Sequence, residues 1–106
     1  MQFIITAYDG KDSDASARRS KVREQHLEGV KKLIKEGRHL YGAAILDDDG
    51  KMVGSIMIVD YPSRETLTSE WLDSEPYVTG DVWRKIEIKP CRIPDFFLDK
   101  SWVEQV

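Results

Sequence analysis

HLYGAAILDDDGKMVGSIMIV, residues 39–59, reads as two strands joined by a tight turn. Residues 39–46 and 51–59 carry β-branched, aromatic and small apolar side chains, and Asp47-Asp48-Asp49-Gly50 between them has turn composition. The three aspartates lack the Asp-x-Asp-x-Asp-Gly spacing and the distal Glu of a calcium loop, so they are read as a turn. Gly42 and Gly54 fall inside the strands, where glycine marks a bulge or a close approach by a neighbour.

Working outward from this hairpin, each side supplies one helix and one strand. Upstream, residues 2–8 form a strand that Asp9-Gly10 breaks, and a helix follows from a cap at Ser13, Asp14 or Ser16 to about Glu36. Gly37 is placed to close that helix, with Lys31, Lys32 and Lys35 near its negative end. Downstream, Ser63 caps a helix over 63–73 in which Leu67 and Trp71 share a face. Ser74-Glu75-Pro76-Tyr77 ends it, and residues 82–89 alternate as a last strand that stops at Pro90. The order βαββαβ with right-handed crossovers predicts an α+β, ferredoxin-like domain: a four-stranded antiparallel sheet with both helices on one face. The first three strands carry apolar side chains on both faces, which predicts a homodimer through the open sheet face. The domain is expected over 1–90, with 91–106 as an extension packing on it or on the partner, so that Phe96, Phe97 and Trp102 leave water.

Composition excludes several classes. A chain of 106 residues, 41% hydrophobic and 33% charged, is one ordinary globular domain. A net charge of −3 with basic residues scattered among acids predicts no nucleic-acid binding. The first six residues lack the features of a signal peptide, no run is long and apolar enough for a bilayer, and Cys91 is the single cysteine. A cytoplasmic protein without membrane contact is expected. No phosphate loop or metal-ligand spacing is present, so neither cofactor nor metal is expected, and His26 and His39 sit on different elements.

The chemistry concentrates in Val22-Arg23-Glu24-Gln25-His26-Leu27. On a wheel of about 100° per residue, His26 falls within the arc of Val22, Val30, Leu33, Ile34 and Leu27. Arg23 and Arg19 lie on the same arc one and two turns earlier, so the inward face changes from aliphatic to basic toward the N-terminus. One reading is a core histidine satisfied by a carbonyl, with arginines snorkelling to water. The other is a core that opens into a polar cleft.

On these residues the chain resembles the YciI-like (YCII-related) family of small dimeric α+β-barrel proteins. The resemblance rests on the strand ending at Asp9, the Val22–Leu27 segment, Glu36-Gly37-Arg38, Gly42, the Asp49-Gly50 turn, Gly54-Ser55 and Glu75-Pro76-Tyr77, over about residues 1–90. It implies an active site built on a histidine and an acid, carried over to His26 and, where the family has Asp before Pro-Tyr, to Glu75. It also implies small-molecule chemistry, a related protein being a dehydrochlorinase of hydroxylated rings. Gly42-Ala43 stands where the family usually has Gly-Pro.

A histidine whose second nitrogen is held by a carboxylate is a general base of fixed tautomer. The resulting expectation is a cofactor-independent lyase or isomerase acting on a small cyclic or aromatic anion. His26 is then the acid/base and Glu75 its orienting carboxylate, while Arg23, Arg19 and Tyr77 bind substrate. Asp49 is a reserve carboxylate and Ser55 a polar lining residue. The alternative is a non-catalytic module that binds a small molecule or a protein with the same cleft.

Overall fold

The computed structural model describes residues 1–101 and 103. Alternation of burial, the signature of a pleated strand with one covered face, is clear in β1 (Gln2–Asp9). Phe3, Ile5, Ala7 and Asp9 point inward; Ile4, Thr6 and Tyr8 point to the other face. The hairpin forms as expected, with β2 at His39–Leu46 and β3 at Met52–Asp60 paired antiparallel. β4 (Trp83–Cys91) completes the sheet on the far side of β1, giving the order β2-β3-β1-β4. This is the α+β, ferredoxin-like fold, with α1 (Ala15–Lys35) and α2 (Arg64–Glu70) covering one face.

Phe3, Ile5, Met57, Val59, Leu67, Trp71, Tyr77 and Trp83 form the core between sheet and helices. Val22, Val30 and Leu33 of α1 pack against it, as their helical spacing requires. Gly54 is needed where β3 pairs with β1: a Cβ there would sit 2.5 Å from the Ala7 carbonyl oxygen. Gly37, at φ +74°, ends α1 in the left-handed region that favours glycine.

Several local expectations are corrected. β4 does not stop at Pro90 but runs through it to Cys91, with Pro90 opposite Phe3. An edge strand allows this, because one row of its N–H groups has no partner strand to serve. Asp14 occupies the N-cap of α1 without a side-chain capping bond; Asp12 instead accepts from the Asp14 N–H and, through its carbonyl, from Ala15. The second helix is shorter than expected and is followed by a 3-10 turn, Leu72–Ser74, and a one-turn α3 (Pro76–Thr79). Ser63 does cap α2, its hydroxyl accepting from the Thr66 N–H at 3.1 Å. Leu27 and Ile34 mark the rim of the apolar arc and are exposed rather than inward.

The open face carries Ile4, Thr6 and Tyr8 of β1 beside Ile56 and Ile58 of β3. The chain after β4 passes across this face. The Ile93 N–H donates to the Gln2 side chain, and the Tyr41 hydroxyl donates to the Phe97 carbonyl at 2.7 Å. A short α4 (Asp95–Leu98) forms there. Ile93 is buried, and Phe96 and Phe97 are 52% and 53% exposed in the single chain. Trp102 lies outside the described residues.

Candidate active site

The inward face of α1 carries Arg19 and His26 instead of aliphatics, and the Arg19 side chain reaches Asp9 of β1 and Ser55 of β3. His26 is 7% exposed, and its Nδ1 meets Glu75 Oε1 in a short hydrogen bond across 49 residues of sequence. Glu75 is placed by local structure. As the N-cap of α3 it accepts from the Tyr77 N–H at 3.2 Å, and its other oxygen accepts from Trp71 Nε1 at 2.9 Å. A carboxylate that only accepts, from three N–H groups, needs the proton on His26 Nδ1. The unprotonated nitrogen of a neutral ring is then Nε2, which makes no hydrogen bond among the described residues and is not sealed from solvent.

The imidazole ring lies flat on Tyr77, centroids 3.9 Å apart and planes 13° apart, with Trp83 edge-on at 6.1 Å. These contacts leave the ring little room to rotate. Burial raises the Tyr77 hydroxyl above its ordinary value, Arg19 and Arg23 opposing the shift. The Arg19 guanidinium lies 4.7 Å from the centre of the same phenol ring.

A second buried set stands beside the pair. Arg19 Nη1 reaches both Asp9 oxygens at 2.9 and 3.0 Å, and Arg19 Nη2 donates to Ser55 Oγ at 3.0 Å. Trp83 Nε1 donates to the same Ser55 oxygen at 3.2 Å. Two opposing effects act on Asp9: burial raises its carboxyl, and Arg19 lowers it by charge and hydrogen bonding. Burial is the larger, so the net direction is upward. Ser55 is thereby fixed as a hydrogen-bond donor. Both lone pairs of its hydroxyl are engaged, and its proton is the only part left to offer a ligand.

These groups line a cleft of about 270 Å³ between α1 and the β2–β3 hairpin. Arg19, Arg23, His26, Ser55 and Tyr77 all contribute to its walls. Gly42 and Ala44 lie opposite inward-facing Met57 and Ser55, so the inward face of β2 is small exactly where the cleft needs room. Arg23 is exposed at the wall and forms no hydrogen bond or ion pair among the described residues.

The structure thus brings together six of the seven sequence-predicted site residues: His26, Glu75, Arg19, Arg23, Ser55 and Tyr77. Asp49 stands apart in the hairpin turn, exposed, its N–H bonded to Asp47. Trp71, Trp83 and Asp9 were not singled out for the site, yet each holds one of its polar groups. For Trp71 a signal existed: it precedes Glu75 by four residues, which a helical turn brings together.

Comparison with known proteins agrees with this architecture. The family model described as YCII-related domain matches residues 1–92. Protein YciI of Escherichia coli O6:H1 is 33% identical over 98 residues, covering 87% of this chain and 97% of that protein. Among solved structures, the chain is similar to 5-chloro-2-hydroxyhydroquinone dehydrochlorinase from Burkholderia phenoliruptrix AC1100, in complex with 2,5-dihydroxybenzoquinone. That match has a TM-score of 0.74 and 19% identity over 90% of this chain and 97% of the other. A structure of an antibiotic biosynthesis monooxygenase matches at TM-score 0.51 and 17% identity, covering 89% and 100% of the two chains. At these identities the two structures speak for the fold, which is that of the dimeric α+β-barrel proteins.

Proposed function

Because this chain belongs to the YCII-related domain family, we propose that it is a cofactor-independent lyase or isomerase acting on a small cyclic or aromatic anion. The observation that carries this reading is the held imidazole: Glu75 fixes His26 Nδ1 and leaves Nε2 at a cleft that also holds the unpaired Arg23. Nε2 takes a proton from an acidic ring carbon or hydroxyl, and the electron pair left behind is delocalised onto a substrate oxygen. Arg23 and the Ser55 hydroxyl hold that oxygen. The imidazolium, stabilised by Glu75, returns the proton to another carbon in an isomerisation or to the departing group in an elimination. The ring chemistry in the similar dehydrochlorinase supports this choice of substrate class. Tyr77, with His26 flat on its ring and the Arg19 guanidinium over it, holds the imidazole in position beside the cleft.

The chain acts as a homodimer through the open sheet face, the partner covering Ile56, Tyr8 and the tail aromatics that the single chain leaves exposed. The free Cys91 fits a reducing cytoplasm, and no helix among the described residues is long and apolar enough to cross a membrane.

The test is turnover of a panel of halogenated hydroxyhydroquinones and cyclic enols by wild type, His26→Ala and Glu75→Gln, each with a pH–rate profile. General acid–base catalysis is worth about 10²–10⁴-fold, so His26→Ala should lose on that order of kcat. Full turnover by both variants would overturn the catalytic reading. Ring binding without turnover by wild type would leave the cleft as a binding module.

A further inference from the structure

The cleft at His26 continues outward. A hollow of about 220 Å³ adjoins it, sharing Arg19, Arg23 and Met52 as walls. That hollow in turn shares Ser16, Lys51 and Met52 with an outer basin of about 910 Å³ at the end of β1. Met52 lines all three, so they form one trough from the imidazole to the β1–α1 loop.

The charges along this trough are not balanced. Two carboxylates line it, Asp9 and Asp12, and each is taken up by a guanidinium. Arg19 spans both Asp9 oxygens, and Arg18 grips Asp12 with two bonds of 2.7 Å. Arg84 is engaged by Asp81 at 2.7 Å and Lys85 by Glu87 at 3.5 Å. What remains unpaired among the described residues is cationic throughout: Arg23 at the inner end, Lys51 at the junction and Lys11 in the basin. Three like charges with no counter-charge leave the trough short of negative charge, and a ligand can supply it.

We propose that Lys51 and Lys11 form a second anion subsite, and that the substrate is a small ring bearing a carboxylate or phosphate besides the oxygen held at Arg23. This rests on the proposed function for the ring end of the trough. The outer end stands on its own charge census. Lys51 acts as a point charge suited to either group, and its position at the junction sets the reach demanded of the substrate.

The experiment is amide NMR titration of wild type and Lys51→Met with inorganic phosphate, hydroquinone, 4-hydroxybenzoate and 4-hydroxyphenyl phosphate. The backbone bond from Lys51 N–H to Asp47 survives the substitution, so the turn is kept. Inorganic phosphate should shift Lys11, Ser16 and Lys51 amides in wild type and not in Lys51→Met. The charged rings should bind about tenfold tighter than hydroquinone to wild type, and Lys51→Met should erase that difference while hydroquinone affinity is unchanged. The better of the two charged rings identifies carboxylate or phosphate. The subsite is overturned if phosphate shifts nothing in the basin, or if the charged rings gain nothing over hydroquinone, or if Lys51→Met keeps the gain. Failure of the ring reading looks different: phosphate shifts the basin, but no ring perturbs His26 or Tyr77.

Discussion

His39, the other histidine, shows what an unsupported imidazole does in this core. It is 3% exposed, edge-on to Trp71 at 4.7 Å, and neither ring nitrogen has a hydrogen-bond partner among the described residues. Burial is the main cause that pushes its pKa down to about 4, with nearby Glu75 pulling up and His26 pushing down. A histidine protonates more readily in the unfolded chain, near 6.5. The unfolded state therefore binds the extra proton between pH 6.5 and 4, and stability falls as pH drops through that window. The loss amounts to about 3 kcal/mol by pH 4. We expect His39→Leu to flatten this acid limb, as urea denaturation from pH 7 to 4.5 would reveal; an unchanged slope would place the acid sensitivity elsewhere. His26, by contrast, is held by a carboxylate and open at its other nitrogen. Helical periodicity put His26 on the inward face, but nothing local distinguishes it from His39. The distinction comes from Glu75, 49 residues away. Sequence reached Glu75 only through resemblance, because the Glu75–His26 pairing depends on how α3 docks against α1.

At the scale of elements, the cleft exists because β2 is small on its inward side. Gly42 and Ala44 face α1, and a Cβ at Gly42 would come no closer than 3.8 Å to Ile56 O. Gly42→Val should therefore fold, with a melting temperature within a few degrees of wild type, yet fill the cleft and cut hydroquinone affinity by roughly tenfold or more. Unaltered binding in a folded Gly42→Val would mean the ligand sits elsewhere. The hairpin, α1 and β1 were legible from pattern and turn chemistry, since each is specified by residues adjacent in sequence. α3 was not. A single turn has no periodicity to read, and it forms because Pro76 suits a helix start and Glu75 caps it. Pro90 misled for a related reason: its effect on a strand depends on whether that strand lies at an edge, which is a property of the sheet.

For the whole molecule, the open face is the largest unexplained feature. Tyr8, Tyr41 and Ile56 are 41%, 43% and 37% exposed there, and the tail adds Phe96, Phe97 and Leu98. We expect light scattering at micromolar concentration to report twice the chain mass, and Ile56→Glu to shift it toward the monomer by placing charge on that face. A monomeric wild type would remove this account of the two-sided strands. The sequence by itself determined the order of the four strands and two main helices, the ferredoxin-like class and the inward placement of His26, because periodicity and turn residues act over short spans. Tertiary structure alone decided that Asp9 closes on Arg19, that Ser55 is reduced to a donor by Arg19 and Trp83, and that Glu75 reaches the imidazole. Those contacts join residues 10 to 49 positions apart, and their formation depends on strand register and helix docking, which no local pattern encodes.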